Sequence, residues 1–262
     1  MKDSLSVSAF FPAYNDSATI ASLVITAHLT LASFCRDYEI IVINDGSRDH
    51  TLEVLRELER KYAFLKVVDH GVNRGYGAAL RTGFATASKD WIFYTDGDAQ
   101  YDVREMVKLA GQAVNGVDVV NGYKIERNDP YYRTLIGGLY NFLVKRLFGL
   151  KIRDTDCDFR LIRRSVFDRV QLEASSGVIC VEMVRRFQDA GCVFREVPVH
   201  HFFRAFGRSQ FFNFRRLWRT LIELLLFRMK LWRENRDVPA GAKPLPSGNL
   251  ARPLSSGGTL RK

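Results

Sequence analysis

The sequence lacks any apolar run that approaches the roughly 18 residues a helix needs to cross a bilayer. We therefore expect no membrane-spanning helix. The start of the chain is also unlike a secretory signal, because its first apolar stretch is strand-like, short and interrupted. These two absences predict a cytoplasmic protein.

Cysteine is scarce and shows no pattern. The chain has four cysteines, and their spacing matches neither a metal site nor a disulfide framework. We interpret them as reduced thiols, which fits the cytosol. They are Cys35, Cys157, Cys180 and Cys192.

Acidic residues are scarce in one region, the C-terminal end. Residues 204–262 carry 13 Lys or Arg against 3 Asp or Glu, whereas residues 1–203 carry 26 of each kind. A nucleic-acid-binding domain usually has its basic residues on the folded body. The distribution therefore argues against a nucleic-acid partner and favours a neutral catalytic body with a basic attachment segment.

Strand-like and helix-like patterns alternate in the first half of the chain. Apolar runs rich in β-formers occur at 7–11, 39–43, 65–69, 91–95 and 117–121. Amphipathic stretches separate them at 17–33, 49–62, 75–88 and 103–115. This order predicts an α/β fold with a mainly parallel sheet. Further along we expect helices at about 131–148, 178–190 and 209–234, and a strand at 193–199.

Polar segments follow each of the first four predicted strands. They are PAYND at 12–16, NDGS at 44–47, NRGYG at 73–77 and DGDAQ at 96–100. Each one taken singly is ordinary turn or helix-capping chemistry. In parallel sheets, however, ligands bind beyond the carboxyl ends of the strands. Four such segments in succession predict one shared binding crevice.

These segments carry side chains suited to a nucleoside diphosphate and a cation. Asp96, Asp98 and Gln100 form an all-oxygen set, which hard cations such as Mg²⁺ or Mn²⁺ prefer and share with phosphate and water. Asp45 could accept hydrogen bonds from a base or ribose, or else cap the next helix. Arg74 and the amides that follow it could contact phosphate at a helix N-terminus.

A dehydrogenase is excluded by the glycine pattern. Gly75 and Gly77 have Leu80 at the third position of the dinucleotide-binding fingerprint. The segment also follows the third predicted strand, whereas the fingerprint follows the first.

Taken in order, these motifs resemble family 2 glycosyltransferases of the GT-A fold, in particular the branch of dolichyl-phosphate mannose and glucose synthases. The resemblance covers about residues 5–210 and includes CDFR at 157–160, Arg204 and GRS at 207–209. It implies a single Rossmann-like GT-A domain over 1–207 with a mainly parallel sheet, followed by an amphipathic helix within 208–236.

The resemblance also implies roles for individual residues. The nucleotide sugar would contact Pro12, Ala13, Tyr14, Asn15, Asp45, Arg74, Gly75 and Asp96. The cation, Mg²⁺ or Mn²⁺, would bind Asp96, Asp98 and Gln100. The acceptor phosphate would meet Arg127, Arg133, Arg204 and Ser209. Catalysis is expected to depend on Asp98, Asp156 and Arg204.

The sequence departs from the family pattern on the acceptor side. Asp158 stands where many members have a small residue, Asp16 stands where Glu is common, and the frequent C-terminal membrane spans are missing. A phosphate acceptor is already anionic and needs only cations to position it. A hydroxyl acceptor needs a carboxylate to take its proton, and we rank Asp156 ahead of Asp154 and Asp158.

The predicted C-terminal helix combines Phe, Leu and Trp with many arginines. Such a helix suits an anionic membrane interface, in whose plane it would lie. Packing on the domain, or a contact in a homo-oligomer, is the alternative. We expect peripheral association with the inner face of the membrane. Residues 237–262 are rich in Pro, Gly and Ser, and we expect them to be disordered.

The sequence as a whole predicts an inverting, metal-dependent enzyme that moves a hexose from a UDP- or GDP-sugar to polyprenyl phosphate. The alternative acceptor is a hydroxyl of a glycolipid, glycan or small molecule in cell-envelope polysaccharide synthesis, which Asp158 mildly favours. A sugar nucleotidyltransferase is disfavoured, because PAYN at 12–15 replaces the Gly-rich basic loop it would carry. A non-catalytic membrane-binding module is disfavoured by the intact DGDAQ segment. The sugar, the nucleotide and the oligomeric state stay open.

Overall fold

A computed structural model describes residues 5–127, 131–203 and 214–236. Its strands are β1 Ser6–Ala13, β2 Asp37–Asn44, β3 Leu65–Asp69, β4 Trp91–Thr95, β5 Val119–Arg127, β6 Phe159–Arg163 and β7 Phe194–His201. Its α-helices are α1 Ile20–Phe34, α2 Thr51–Lys61, α3 Tyr76–Thr86, α4 Met106–Ala110, α5 Tyr131–Phe148, α6 Ile179–Asp189 and α7 Phe214–Arg236. Short 3₁₀ turns cover Val103–Glu105 and Arg164–Asp168.

The strands form one seven-stranded sheet in the order β3-β2-β1-β4-β6-β5-β7. The pairs β1–β2, β2–β3, β1–β4 and β5–β7 are parallel, whereas β6 runs antiparallel to both of its neighbours, β4 and β5. The predicted α/β class and mainly parallel sheet are confirmed. Strand β6 was not predicted, and because it is antiparallel, its first residue lies at the same edge as the carboxyl ends of β1 to β4.

Helices cover both faces of the sheet, which therefore separates two hydrophobic cores. Phe10 and Tyr94 face the core that contains α3, α5, α6 and α7. Phe11 and Phe93, their neighbours along the strands, face the core that contains α1, α2 and α4. Successive strand residues point to opposite faces, so strands buried on both sides read as continuous apolar runs.

Arg160 of β6 is the largest fully buried side chain in the described part of the chain. Its guanidinium donates to Asn121 Oδ1 at 2.6 Å and to the Tyr94 hydroxyl at 3.0 Å, and also to the carbonyl of Thr155. A buried charge is tolerated only with such partners. Arg160 therefore joins β4, β5 and the acidic loop before β6.

Helix α7 packs on the domain along one stripe and leaves the opposite stripe exposed. Leu224, Phe227 and Leu231 are buried, and the Phe227 ring stacks on Phe148 of α5 with centroids 5.4 Å apart. Among the residues that the structure describes, no helix has both the length and the apolar character needed to cross a membrane. The predicted tail, 237–262, lies outside the described residues.

Because α3 packs closely on β1, a single added methyl group at Gly83 should destabilise the fold. Gly83 packs directly on the Phe10 ring, and a Cβ there would overlap the ring atoms. We expect Gly83→Ala to lower the free energy of unfolding by about 1–3 kcal/mol, because the core must be overpacked. Gly138→Ala is the matched control, since a Cβ on Gly138 in α5 meets nothing within 4 Å. Urea unfolding of both variants checks this, and equal stabilities would contradict it.

Candidate active site

The ends of β1 and β4 are joined by hydrogen bonds. The Gly97 amide donates to the carbonyl of Pro12 at 3.1 Å, and the Thr19 hydroxyl donates to the carbonyl of Gly97 at 2.9 Å. A Cβ on Gly97 would lie 2.8 Å from the Pro12 oxygen, so only glycine allows this approach. The PAYND and DGDAQ segments therefore meet, as the sequence predicted for strand ends of one crevice.

The ends of β1 and β2 are joined in the same way. Asn15 adopts a left-handed conformation, with φ 59°. Its amide donates to Ser47 Oγ at 3.0 Å, and its side-chain oxygen accepts the Arg48 amide at 2.8 Å. Pro12 and Ala13 are buried, Tyr14 is half-buried and Asn15 is exposed. Residues 12–15, which were predicted to contact the nucleotide sugar, therefore form a main-chain ledge held by the NDGS turn.

Asp45 is buried and binds the loop that follows β3. Its Oδ1 accepts the Arg74 amide at 2.8 Å, its Oδ2 accepts the Gly75 amide at 3.0 Å, and His70 Nδ1 lies 2.8 Å from Oδ1. The His70 Nε2 atom is in turn 2.9 Å from the Thr82 hydroxyl of α3. Asp45 thus shapes the loop that carries Arg74, and it makes these bonds rather than capping the N-terminus of α2.

His70 is a site residue that the sequence analysis missed. It lies directly after β3, where the chain turns towards the NRGYG segment, and only 7% of it is exposed. A single histidine has no motif that identifies it. Its position at a strand end next to a polar segment was the only available signal.

The DGDAQ residues point to different partners. Asp96 Oδ1 accepts the Tyr76 hydroxyl at 2.7 Å, and Asp98 Oδ1 accepts the Gln100 amide at 3.0 Å. The Gln100 side-chain nitrogen donates to the carbonyl of Phe202, after β7, at 3.0 Å. The carboxamide oxygen is therefore the Gln100 atom suited to a cation.

Burial and other carboxylates both act on the Asp96 carboxyl. Burial is the largest cause that raises the pKa of the Asp96 carboxyl well above its usual range. Repulsion from other carboxylates also raises this pKa, namely those of Asp158, Asp98 and Asp16. Repulsion of this kind between carboxylates is what a divalent cation would neutralise.

The donor set fits a cation that is shared with a diphosphate. Within residues 5–127, 131–203 and 214–236, no three His, Cys, Asp or Glu side chains lie close enough to hold a metal by themselves. Mg²⁺ commonly binds one or two carboxylates and takes substrate phosphates and water for its other positions. Asp96 and Asp98 match that arrangement.

The acidic loop brings Asp158, rather than Asp156, towards Asp96. Asp158 Oδ1 accepts the Cys180 thiol at 3.1 Å and the Tyr94 hydroxyl at 3.4 Å. Burial raises the pKa of Asp156 to about 6, and Asp154 raises it as well while Lys124 lowers it. Asp158 therefore contacts residues of β4 and α6 next to the DGDAQ segment, whereas the charged neighbours of Asp156 lie within or beside its own loop.

The four residues predicted to meet the acceptor phosphate lie at the margins of the described structure. Arg127 is the last residue of β5, and Arg133 lies in the first turns of α5. Arg204 and Ser209 lie outside the described residues.

Comparison with known proteins identifies the family. The model of glycosyl transferase family 2 matches residues 8–171. The chain therefore belongs to glycosyl transferase family 2, whose members transfer sugars from nucleotide-sugar donors.

Solved structures share the fold at low sequence identity. Glucosyl-3-phosphoglycerate synthase from Mycobacterium tuberculosis, bound to Mn²⁺, UDP and glucosyl-3-phosphoglycerate, matches with a TM-score of 0.65 and 19% identity over 86% of this chain and 80% of its own. The same enzyme with Mg²⁺ and UDP matches with a TM-score of 0.64 and 18% identity, over 86% and 79% of the two chains. A mycobacterial protein matches with a TM-score of 0.61 and 22% identity, over 86% and 75%. The sheet is thus that of the GT-A fold.

The raised pKa of Asp156 predicts how stability depends on pH. A carboxyl that titrates near 6 in the folded state and near 3.9 in the unfolded state binds its proton more tightly when folded. Its contribution to stability is therefore present below about pH 4 and is lost as the pH rises through about 6. We expect Asp156→Asn to match the wild type near pH 4 and to be more stable by about 1–3 kcal/mol at pH 7.5. Urea unfolding at the two pH values checks this, and a variant less stable at pH 7.5 would show the assignment to be wrong.

Proposed function

We propose that this enzyme transfers a hexose from a UDP- or GDP-sugar to polyprenyl phosphate, at the cytosolic face of a membrane. The observation that carries the donor half is the convergence of the ends of β1, β2 and β4 and the loop after β3, around the Asp96 and Asp98 carboxylates. The observation that carries the acceptor half is the exposed apolar stripe of α7 beside α5.

The donor would lie along the carboxyl edge of the sheet. The ledge at residues 12–15 supports the base, and the loop that Asp45 holds presents Arg74 and Gly75 to the nucleotide. Arg74 is exposed, and its side chain donates to the His70 carbonyl at 3.4 Å, which directs it back over its own loop. These contacts are suited to either uracil or guanine, so they leave the base open.

The metal would be held by Asp96, Asp98 and the Gln100 oxygen. When bound, Mg²⁺ or Mn²⁺ would stabilise the charge that develops on the leaving nucleoside diphosphate. Tyr76 holds Asp96 in place through its hydroxyl, and the short Asp98–Gln100 turn holds Asp98. The carboxylates are thus oriented before substrate arrives, which lowers the cost of reaching the transition state.

The acceptor phosphate would attack the anomeric carbon from the side opposite to the diphosphate and so invert it. A phosphate monoester is largely anionic near neutral pH, so no residue has to remove a proton. Arg127, Arg133, Arg204 and Ser209 are the residues proposed to position it.

The lipid part of the acceptor would be met by α5 and α7. Many of their outward side chains are apolar, including Phe142 (65% exposed) on α5 and Trp218 (60% exposed) on α7. Trp218 and Trp232 lie 14 residues apart, about 21 Å along the helix. Exposed Arg233 adds positive charge beside this stripe. Tryptophan, aliphatic side chains and arginine together suit an anionic lipid interface.

A hydroxyl acceptor is the second candidate, and Asp158 favours it. Asp158 adds a negative charge beside Asp96, which would repel an anionic acceptor. The same carboxylate is suited to take the proton of an attacking hydroxyl. The structure therefore favours Asp158 over Asp156 as the base in this reaction.

A transfer assay separates the two candidates. Radiolabelled UDP- and GDP-hexoses are incubated with Mg²⁺ or Mn²⁺ and polyprenyl phosphate in anionic vesicles. Label in an acid-labile lipid is the result we expect, and it names the sugar and nucleotide. Donor hydrolysis without labelled lipid would overturn the phosphate acceptor and favour the hydroxyl.

The role of Asp98 predicts a loss of turnover without a loss of fold. We expect Asp98→Ala to reduce nucleotide-sugar turnover about a hundredfold or more, because one of the two carboxylates that hold the cation is lost. Asp102→Ala is the control, since Asp102 lies in the same loop and pairs with the exposed Arg104 at 2.8 Å. Turnover of both variants is measured after circular dichroism has shown that they fold. A fully active Asp98→Ala enzyme would contradict the metal assignment.

The exposed stripe of α7 predicts the effect of a charge on membrane binding. Leu225 is 49% exposed in this stripe, and Leu29 of α1 is 64% exposed on the other face of the sheet. We expect Leu225→Glu to weaken sedimentation with anionic vesicles by about tenfold, because a buried leucine contributes about 1.5–3 kcal/mol. Leu29→Glu should leave vesicle binding unchanged. Equal effects of the two substitutions would refute the membrane role of α7.

A further inference from the structure

Residues 173–177, called here the 173–177 segment, lie between the C-terminal helix and the loop proposed to bind the donor. The segment is part of the connection between the 3₁₀ turn after β6, which ends at Asp168, and α6, which begins at Ile179. On its α6 side, the Glu182 carboxylate accepts the amides of Glu173 and Ala174 at 3.0 and 2.8 Å. Glu182 is buried, so the segment is anchored at one end.

The segment contacts the first residues of α3 without a gap. The Gly77 amide donates to the Ser175 carbonyl at 2.9 Å. A Cβ on Gly75 would lie 2.5 Å from the same oxygen, and a Cβ on Gly77 would overlap the Ala174 carbonyl. Gly75 also has a φ of 95°, which side chains rarely adopt. The glycines therefore allow the segment to pack directly on the backbone of this loop.

The opposite side of the segment contacts α7. The Ser176 hydroxyl donates to the Glu223 carboxylate, and the Lys230 ammonium pairs with the Glu173 carboxylate. Glu223 is 27% exposed, so its bond to Ser176 is partly shielded from water. A hydrogen bond to a charged group contributes more than a neutral one. Helix α7 thus fixes the segment from outside.

The residues that meet the segment also meet the site carboxylates. Gly75 donates its amide to Asp45 Oδ2 at 3.0 Å. Tyr76, between the two glycines, donates its hydroxyl to Asp96 Oδ1 at 2.7 Å. A shift of the segment would therefore move groups that hold both Asp45 and Asp96.

We propose that Glu223 of α7 is a positioning residue for the nucleotide-sugar donor, acting through Ser176 and the 173–177 segment on residues 75–77. This inference rests on the proposed donor site. It gives α7 a second role besides the membrane contact, because the helix that carries the exposed apolar stripe also sets the position of the donor loop. A donor that binds the positioned loop should lose affinity when this bond is removed, since part of its binding energy must then order the loop.

Two measurements on the full chain test the proposal. The first is hydrogen exchange of the Gly77 amide, which needs no donor, with the Val42 amide of the central sheet as reference. The second is the Kd of UDP and GDP with Mn²⁺, by calorimetry. Glu223→Ala removes the acceptor of the Ser176 hydroxyl, and Glu223→Gln keeps one. Thr220→Ala, a substitution at a half-buried position on the same helix, is the control.

We expect Glu223→Ala to speed exchange at Gly77 and to raise the nucleotide Kd about fivefold or more, while Glu223→Gln and Thr220→Ala stay near the wild type. Ser176→Ala should produce a similar rise, and the double variant should add little to it, because the Ser176–Glu223 bond is the one contact that both single changes remove. Glu223→Ala also removes the pair with Arg219 at 2.9 Å. The Ser176 hydroxyl also accepts the Val178 amide at 3.2 Å, so the comparison with the double variant isolates the Glu223 bond.

Each of the other outcomes would overturn a definite part of the proposal. Unchanged exchange at Gly77 in Glu223→Ala overturns the link between α7 and the loop. Faster exchange with an unchanged nucleotide Kd overturns the positioning role. Faster exchange in an enzyme whose wild type binds neither UDP nor GDP supports the link and overturns the proposed donor site.

Discussion

Electrostatic repulsion among carboxylates at one edge of the sheet is the constraint on which the rest of the site depends. Asp96 lies within the influence of Asp158, Asp98 and Asp16, and its pKa is raised by burial and by these neighbours. The fold accepts this repulsion because apolar strands on both faces stabilise the sheet independently of its edge. A divalent cation shared with a diphosphate would relieve it, so the feature that raises the pKa of Asp96 in the free protein would favour binding of the proposed donor.

The support for this edge comes from hydrogen bonds between segments that are far apart in the chain. The Gly97–Pro12 bond joins β4 to β1, and the Asn15–Ser47 bond joins β1 to β2. The bonds from Asp45 join β2 to the loop after β3. Each of these bonds has a main-chain amide as its donor, so together they fix the segments relative to one another without ligand. Helix α7 extends this network outward through Glu223 and Ser176.

Much of the fold could be predicted from the local sequence pattern, and so could part of the site. Strands at 65–69 and 91–95 were predicted with the bounds that the structure has, because each is a short segment rich in β-forming residues between turns. Strand β6 was missed because Arg160 interrupts its apolar pattern, and the partners of that arginine, Asn121 and Tyr94, lie 39 and 66 residues away. The helix predicted at 103–115 proved shorter, with only Met106–Ala110 helical after a 3₁₀ turn.

The contacts made by the site residues could not be predicted from motifs. The positions of Asp45 and Asp96 at strand ends follow from the pattern, but the bonds to His70 and Tyr76 depend on how the loops cross. The same holds for Asp158, whose approach to Asp96 depends on the antiparallel course of β6. Sequence reasoning ranked Asp156 ahead of Asp154 and Asp158 as a base, and that ranking stays a prediction, whereas the approach of Asp158 could be seen only once the direction of β6 was known.

The most direct test is calorimetric titration of UDP and GDP into the wild-type protein, with and without Mn²⁺ or Mg²⁺. If the crowded carboxylates hold a cation shared with a diphosphate, one of the two nucleotides binds, and its affinity falls sharply when the metal is chelated. Equal affinity with and without metal, or no binding of either nucleotide, would contradict the shared-cation site.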